Sequence, residues 1–240
     1  MRKNTRKISI PFWAQILAIL LVGVAAGGVV LLFAPDKQQT ASQEVVVKHT
    51  VTFAYQDGTV IENKTVEEGK GVFPPTVVGN GVFRGWSAGF NAVMTDIEVH
   101  PVFYGIQEEN LFYFNSVYTK ENTEFSLELY VGGKVSLSSG TVTLSYDTDV
   151  LEFKGADNLN CVDVTEKKAG ELTVQVNTEA PLQEQTRLSQ LVFYSKKKDA
   201  YSTQIDLTAK DAKVYSGGKR LSVNYATINN KIYFLQEVGE

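Results

Sequence analysis

The chain has very few of the residues from which disulfides and zinc sites are built. Its 240 residues include one cysteine, Cys161, and two histidines, His49 and His100. A single cysteine cannot form an intrachain disulfide, so the folded part must be stabilised by its hydrophobic core. The two histidines fall in separate predicted strands, and a structural zinc site needs four ligands. We therefore expect no metal site and no cofactor.

Candidates for catalysis are also few. Cys161 has no activating neighbours in the sequence and is interpreted as a small buried hydrophobic residue. Asp147 and Asp149 could chelate calcium together with loop carbonyls, but a turn in which Asp147 hydrogen-bonds to its own backbone is the simpler interpretation. We expect a protein that is not an enzyme.

Positive charge is concentrated at the start of the chain and scarce elsewhere. Four of the 23 cations lie within the first seven residues, whereas all 27 acidic residues follow residue 34. Beyond residue 34, the chain therefore carries 19 cations against 27 acids. An acidic surface without a basic cluster argues against nucleic acid as a partner.

An uncharged run follows the N-terminal cations. It extends over 26 residues from Ile8 to Phe33. As a helix rising ~1.5 Å per residue it would reach ~39 Å, enough to cross a hydrocarbon core of ~30 Å. A cleaved signal peptide is the alternative, although its apolar region normally spans about 7–15 residues. The basic flank predicts a cytoplasmic tail at residues 1–7, a single-pass membrane anchor at 8–34 and an extracellular remainder after a polar linker at 35–44.

Residues 45–106 read as a compact group of short β-strands. The segment from Val45 to Tyr55 is rich in β-branched residues and alternates in polarity. Asp57-Gly58 supplies the residue types that a tight hairpin needs at positive φ, and Thr59 to Val66 is predicted to return as the partner strand. Further strands are predicted at Val82–Trp86 and Ile97–Tyr104.

The order of motifs in this region resembles a known repeat. The motifs are Val51-Thr52-Phe53, Asp57-Gly58, Thr65-Val66-Glu67-Glu68-Gly69, Pro74-Pro75, Phe83-Arg84-Gly85-Trp86-Ser87 and Val102-Phe103-Tyr104. This order is similar to that of the internalin-type B-repeat, also called the Listeria–Bacteroides repeat, a bacterial β-grasp unit. The resemblance implies a small β-grasp-like unit in a cell-surface protein, and an exported chain without disulfides is typical of a Gram-positive surface.

Residues 109–237 alternate apolar and polar positions through many short segments. Phe125, Leu127, Leu129 and Val131 alternate with polar residues, and the same pattern recurs up to Leu221, Val223 and Phe234. Alternation with a period of two predicts strands with one buried face and one exposed face. Many such strands separated by turns predict an antiparallel β-sandwich, so the expected fold outside the membrane anchor is all-β.

The second region resembles a cohesin domain. The run from Gly140 to Phe153 contains Tyr-Asp-x-x-Val-Leu-Glu, which is similar to the strand-turn-strand signature of that family. The segment from Leu188 to Phe193 resembles a later apolar strand of the family. The resemblance implies a nine-stranded jelly-roll sandwich that binds a dockerin module, and related folds bind carbohydrate.

The cohesin resemblance also implies where a partner would bind. In the family, the partner docks on a flat sheet face that includes the strand before the Tyr-Asp signature. The outward positions of that strand and its predicted neighbour are Ser139, Thr141, Thr143, Ser145, Thr173 and Gln175. The Asn and Asp through which the family contacts dockerin correspond here to Ser139 and Thr141, which is a departure from the pattern.

Three functions are compatible with this sequence. The first is a membrane-anchored scaffolding protein whose sandwich captures a dockerin-like protein, with the β-grasp-like unit as a spacer from the membrane. The second is a carbohydrate-binding module, for which Tyr130, Tyr194 and Tyr201 would be candidates to stack on sugar rings. The third is a structural spacer of the cell envelope that binds nothing.

Overall fold

The computed structural model describes residues 45–106, 110–133, 136–182, 185–196, 201–216 and 218–235, and it confirms the all-β prediction for them. Every helix or strand in these ranges is a β-strand. The predicted anchor at 8–34, with its flanking tail and linker, lies outside the described residues. In the ranges above, no helix is long and apolar enough to cross a membrane.

The described residues form seventeen strands, numbered in chain order. They are β1 Lys48–Ala54, β2 Val60–Glu67, β3 Val82–Trp86, β4 Ile97–Val99, β5 Pro101–Tyr104, β6 Leu111–Tyr113, β7 Val117–Lys120, β8 Glu124–Gly132, β9 Leu137–Ser145, β10 Leu151–Asn158, β11 Val162–Lys168, β12 Glu171–Leu182, β13 Thr186–Ser195, β14 Ser202–Ser216, β15 Lys219–Ser222, β16 Ala226–Ile228 and β17 Asn230–Leu235.

The first five strands form two small sheets. β1 pairs with β2 across the predicted hairpin, where Gly58 adopts φ +84° and the Asp57 carboxylate accepts a hydrogen bond of 2.9 Å from the Thr59 amide. β4 adds to β1 in parallel, while β5 pairs with β3. The predicted Ile97–Tyr104 segment is therefore broken at His100, because its two halves belong to different sheets.

The remaining strands form the predicted sandwich. One sheet has the order β10-β13-β8-β6-β16, and the other has the order β11-β12-β9-β14-β17-β7 with β15 beside β14. Most neighbours are antiparallel, but β6 pairs with β16 and β7 with β17 in parallel. The first and last segments of the sandwich run side by side in both sheets, a pairing that alternation along the chain does not predict.

Residues at alternate positions of these strands fill the core between the two sheets. Leu127, Leu129, Leu144 and Phe193 are fully buried, as the polarity pattern predicts. Leu221 is an exception, since half of it is exposed. It lies on β15, which pairs with β14 beside the main path of the sheet and leaves Leu221 outside the core.

The first five strands pack against the seven-stranded sheet of the sandwich. Phe90 stacks on Tyr118 with ring centroids 5.4 Å apart, and Tyr118 stacks in turn on Tyr233 at 4.7 Å. The Trp86 amide lies 3.3 Å from the Tyr118 hydroxyl. Leu235 of β17 joins the core formed by the first five strands. The described residues from Val46 onward accordingly form one compact unit.

Buried tyrosines predict a loss of stability in alkaline solution. Burial raises the pKa of Tyr225, which lies against Phe112, from 10.0 to about 12. The folded state therefore holds the phenolic proton more tightly than the unfolded state, so this contribution is complete below pH 10 and is lost between pH 10 and about 12. We expect the Tyr225→Phe variant to lose less stability than wild type over that interval, measured by urea denaturation at each pH. An equal loss in both proteins would contradict the assignment.

Candidate functional site

The exposed side of strands β11, β12, β9 and β14 carries mainly hydroxyl and carboxamide groups. We call the outward side chains of these four strands the hydroxyl face. Along β9, the buried residues Val142 and Leu144 alternate with half-exposed Thr141 and Thr143. Alternation places the apolar residues in the core and leaves the hydroxyl groups in solvent.

All six residues predicted for partner binding lie on this face. Ser139, Thr141, Thr143 and Ser145 come from β9, and Thr173 and Gln175 come from β12. The register places Thr143 directly opposite Thr173, and Thr141 directly opposite Gln175. The six side chains therefore form one continuous patch, although their role in binding remains a prediction.

A row of four threonines crosses the centre of the face. Thr165 of β11 is opposite Thr173, which is opposite Thr143, which is opposite Thr208 of β14. Neighbouring strands lie about 4.7–4.9 Å apart, so the row extends roughly 14 Å across the sheet. Threonine is β-branched and stiff at χ1 in a strand, which makes the row a well-ordered surface of hydroxyl and methyl groups.

Charged residues border opposite ends of the hydroxyl face. At one end, Lys210 is opposite Thr141 and Lys213 is opposite Ser139. At the other end, Asp206 and Glu171 both lie opposite Ser145. We call the end with Lys210 and Lys213 the cationic end, whereas at the other end Lys168 of β11 pairs with Glu171 at 3.4 Å and offsets its charge.

Two residues at the cationic end were not identified from the sequence. Arg220 of β15 donates hydrogen bonds of 3.0 Å to the Asn177 side chain and 3.4 Å to the Thr178 carbonyl. Its guanidinium carbon lies 5.9 Å from the centre of the Tyr215 ring, and Tyr215 is 43% exposed. Arginine and tyrosine dominate binding energy at many interfaces. In the sequence, Tyr215 and Arg220 flank a predicted hairpin turn, and this pattern could have identified them as neighbours.

The three tyrosines considered for sugar stacking do not form a platform. Tyr130 stacks on Tyr113 with centroids 5.5 Å apart, and the Lys154 ammonium lies 5.6 Å from the centre of the Tyr194 ring. Tyr130 and Tyr194 lie on neighbouring strands of the five-stranded sheet, offset by six residues in register, which is about 20 Å along a strand. Tyr201 belongs to the segment before β14, in the other sheet.

A motif that the non-enzymatic interpretation overlooked lies at the end of β3. The run from Gly85 to Gly89 reads Gly-Trp-Ser-Ala-Gly and so has the Gly-x-Ser-x-Gly spacing of a hydrolase nucleophile. Ser87 Oγ accepts a hydrogen bond of 2.9 Å from the backbone amide of His100, while the His100 ring contacts the Ala54 carbonyl and Glu98 at 3.0 and 3.6 Å. No helix follows β3, so the strand-turn-helix geometry of a nucleophile elbow is missing here.

The other reactive side chains have structural surroundings. Cys161 packs partly buried against the sandwich core. The Asp147 carboxylate accepts a hydrogen bond of 2.9 Å from the Asp149 amide, which confirms the turn interpretation. His49 contacts Glu68 at 3.0 Å and Asp96 at 3.9 Å. Among the described residues, no group of three or more His, Cys, Asp or Glu could hold a metal ion.

Comparison with known proteins gives similarity in structure only. No protein-family model and no curated protein matches this chain. The seventh ScaB type I cohesin from Pseudobacteroides cellulosolvens has a TM-score of 0.49 at 11% identity, over 54% of this chain and 94% of the cohesin. The cohesin module of a family 33 glycoside hydrolase from Clostridium perfringens has a TM-score of 0.45 at 14% identity, over 55% of this chain and 100% of that module. A non-cellulosomal cohesin from Archaeoglobus fulgidus has a TM-score of 0.43 at 17% identity, over 52% of this chain and 91% of that cohesin.

Proposed function

We propose that this chain is a non-catalytic binding module whose hydroxyl face captures a protein partner of the dockerin type. The observation that carries the proposal is the face itself. Four neighbouring strands present an ordered, polar, half-exposed surface whose centre is the row of Thr165, Thr173, Thr143 and Thr208. The cohesin-like motif from Gly140 to Phe153 supports the same strand, β9, as the centre of binding.

The composition of the face indicates how a partner would be recognised. Hydroxyl groups both donate and accept hydrogen bonds, so the centre can match a polar surface without a buried charge. Tyr215 and Arg220 at the cationic end supply the side chains that anchor interfaces most strongly. Lys210 and Lys213 at the cationic end would favour the approach of an acidic partner and so raise the rate of association.

Ser139 and Thr141 differ from the Asn and Asp of the cohesin pattern, and this difference limits the kinds of partner that we expect. An Asn and an Asp two residues apart would offer a carboxylate and a carboxamide to the partner, whereas Ser139 and Thr141 offer two neutral hydroxyls. Lys210 lies directly opposite Thr141 and Lys213 opposite Ser139. We therefore expect a partner that presents acidic or hydroxyl groups at this end.

The proposal is tested by a double substitution in the middle of the face. Thr141→Glu and Thr143→Arg place two long charged side chains on adjacent outward positions of β9. We expect capture of dockerin modules to fall by at least about 100-fold, because the two long side chains keep a partner's surface from close contact with the row of threonines. Binding of the full-length chain to a panel of dockerin modules, including any encoded in its own genome, would be measured by surface plasmon resonance.

A matched control lies on the other sheet. Ser126→Glu and Val192→Arg create a directly opposed charge pair on the exposed side of β8 and β13, and capture should be unchanged. Unchanged capture by the Thr141/Thr143 variant would remove the hydroxyl face as the binding site. Binding to polysaccharide instead of any dockerin module would favour the carbohydrate-binding alternative, and binding to neither would favour the envelope spacer.

We also propose that the module is displayed outside the cell on a membrane anchor at residues 8–34. The support is the 26-residue uncharged run and the four cations before it. A polar linker at 35–44 would then separate the folded part from the membrane.

A further inference from the structure

A cleft separates the β3–β5 ribbon from the end of the seven-stranded sheet. It has a volume of about 570 Å³, within the range of roughly 300–1,000 Å³ that small-ligand sites occupy. Arg84 and Tyr104 line it from the ribbon, and Gln204, Lys231 and Tyr233 line it from β14 and β17. The cleft exists only because the two parts of the chain pack together.

The charge of the cleft differs from that of the chain as a whole. Its lining includes the cations Arg84 and Lys231 but no acidic residue, although acids outnumber cations beyond residue 34. Neither cation forms an ion pair with a carboxylate among the described residues. Burial raises the pKa of Tyr233, and the nearby Arg84 charge partly offsets this rise. The described lining therefore carries two cations and no carboxylate.

Carboxamide groups are held in place at the same cleft. Asp206, which is not part of the lining, accepts hydrogen bonds of 2.6 Å from Gln204 Nε2 and 2.9 Å from Asn229 Nδ2. Asn229 Oδ1 accepts a further hydrogen bond of 2.9 Å from the Leu207 backbone amide. These bonds fix both carboxamides at the cleft wall, so little side-chain entropy would be lost when a ligand binds.

Aromatic rings complete the lining. Phe103, Tyr104 and Tyr233 all contribute to it, and Tyr104 is 40% exposed. Ring faces pack against the apolar C–H faces of sugars, carboxamides exchange hydrogen bonds with hydroxyl groups, and guanidinium or ammonium groups pair with carboxylates. A ligand that uses all three needs a flat apolar face, several hydroxyls and an acidic group.

We propose that this cleft binds an acidic saccharide, of the uronic acid class, through Arg84, Lys231 and Tyr104. The site differs from the protein-binding surface proposed above, because none of the six residues predicted for partner binding lines it, although Gln204 of β14 belongs to the edge of the hydroxyl face and to the cleft. Gln204 and Lys231 are directly opposite each other on the same side of the sheet as that face, so the two sites are neighbours. Variants that lose sugar binding at the cleft should therefore keep protein binding at the hydroxyl face.

Calorimetric titration of the full-length chain in detergent micelles tests the proposal with three probes. The first is trigalacturonic acid, the second is its fully methyl-esterified form, and the third is triglutamate. We expect the acid trisaccharide to bind, the ester to bind at least about tenfold more weakly because it lacks the charge, and triglutamate to bind weakly or not at all. Oligomers of glucuronic and mannuronic acid would be run beside them.

Two substitutions remove the charges and keep a polar side chain that can form hydrogen bonds. Arg84→Gln and Lys231→Gln should each weaken binding of the acid trisaccharide by at least about tenfold. Each should also make the affinity for this trisaccharide less dependent on salt concentration. Tyr104→Ala should weaken binding of the acid trisaccharide and binding of its ester by similar factors, since stacking on the ring does not depend on the ligand's charge. The matched control Lys210→Gln removes an exposed cation of the hydroxyl face and should leave sugar binding unchanged.

Several results would overturn the proposal. Equal affinity for the acid and the ester would show that the cations are not used. Tighter binding of triglutamate than of any uronic acid oligomer would identify a peptide site. No binding of any uronic acid oligomer at millimolar concentration, or binding that both Gln variants retain, would remove the cleft as an acidic-sugar site.

Discussion

Replacement of Gly85 by alanine is expected to loosen the first five strands from the sandwich. Gly85 adopts φ +122°, and a Cβ there would lie 3.2 Å from the Tyr233 hydroxyl and 3.3 Å from the Tyr118 hydroxyl. Both the backbone strain and the crowding oppose alanine, so we expect the free energy of unfolding to fall by about 2–4 kcal/mol. Urea denaturation would measure the loss, and hydrogen exchange should show faster opening at β3 and β5.

Gly89 provides the matched control for this substitution. It lies four residues later, is exposed, and has no atom within 4 Å of an added Cβ. We expect Gly89→Ala to change the unfolding free energy by no more than about 0.5 kcal/mol. If the two variants lose equal stability, the contact between Gly85 and the two tyrosines does not hold the strands together.

The largest loss of stability is expected from Phe193→Ala in the sandwich core. The Phe193 ring is fully buried and lies 5.2 Å from Tyr146, 5.6 Å from Phe153 and 6.0 Å from Phe125 between ring centres. Truncation leaves a cavity in the middle of this cluster, and Phe→Ala changes of this kind cost about 3–5 kcal/mol. The measurement is equilibrium denaturation followed by circular dichroism.

Tyr201→Ala removes an aromatic ring of similar size from the surface. Tyr201 is 61% exposed, so its loss should change the unfolding free energy by about 0.5 kcal/mol or less. A Phe193→Ala variant as stable as the Tyr201→Ala variant would be incompatible with a sandwich core centred on Phe193.

The packing of the two regions has a consequence for the proposed binding sites. The first five strands are positioned by Tyr118 and Tyr233, which lie on the same side of the seven-stranded sheet as Gln204 and Asp206. The first five strands therefore lie beside the hydroxyl face. They do not cover its central threonines, of which Thr165 and Thr208 are exposed. A partner on the hydroxyl face and a sugar in the cleft could be held next to each other.

Local patterns in the sequence were sufficient for most of the longer strands and for the exposed positions of β9, but they did not identify the short strands β6 and β7. Alternation with a period of two identified Thr141 and Thr143 as outward residues, because neighbouring side chains of a strand point to opposite sides. The hairpin at Asp57-Gly58 was predictable because few residue types tolerate positive φ, but the expectation of positive φ at both residues was wrong, since of the two only Gly58 adopts it. The break at His100 was missed, although Pro101 is the residue type that often stands first in a strand. The sequence pattern does not show that β4 and β5 pair with different sheets.

The tertiary structure alone decided which distant residues meet. Asn230 donates a hydrogen bond of 3.3 Å to the carbonyl of Phe83, 147 residues away, and another to the carbonyl of Phe114. The threonine row, the parallel pairing of β7 with β17 and the cleft between Arg84 and Lys231 likewise depend on strand order and register. Polarity patterns specify which side of a strand is buried, but they do not specify its neighbour, because many pairings bury the same apolar face equally well.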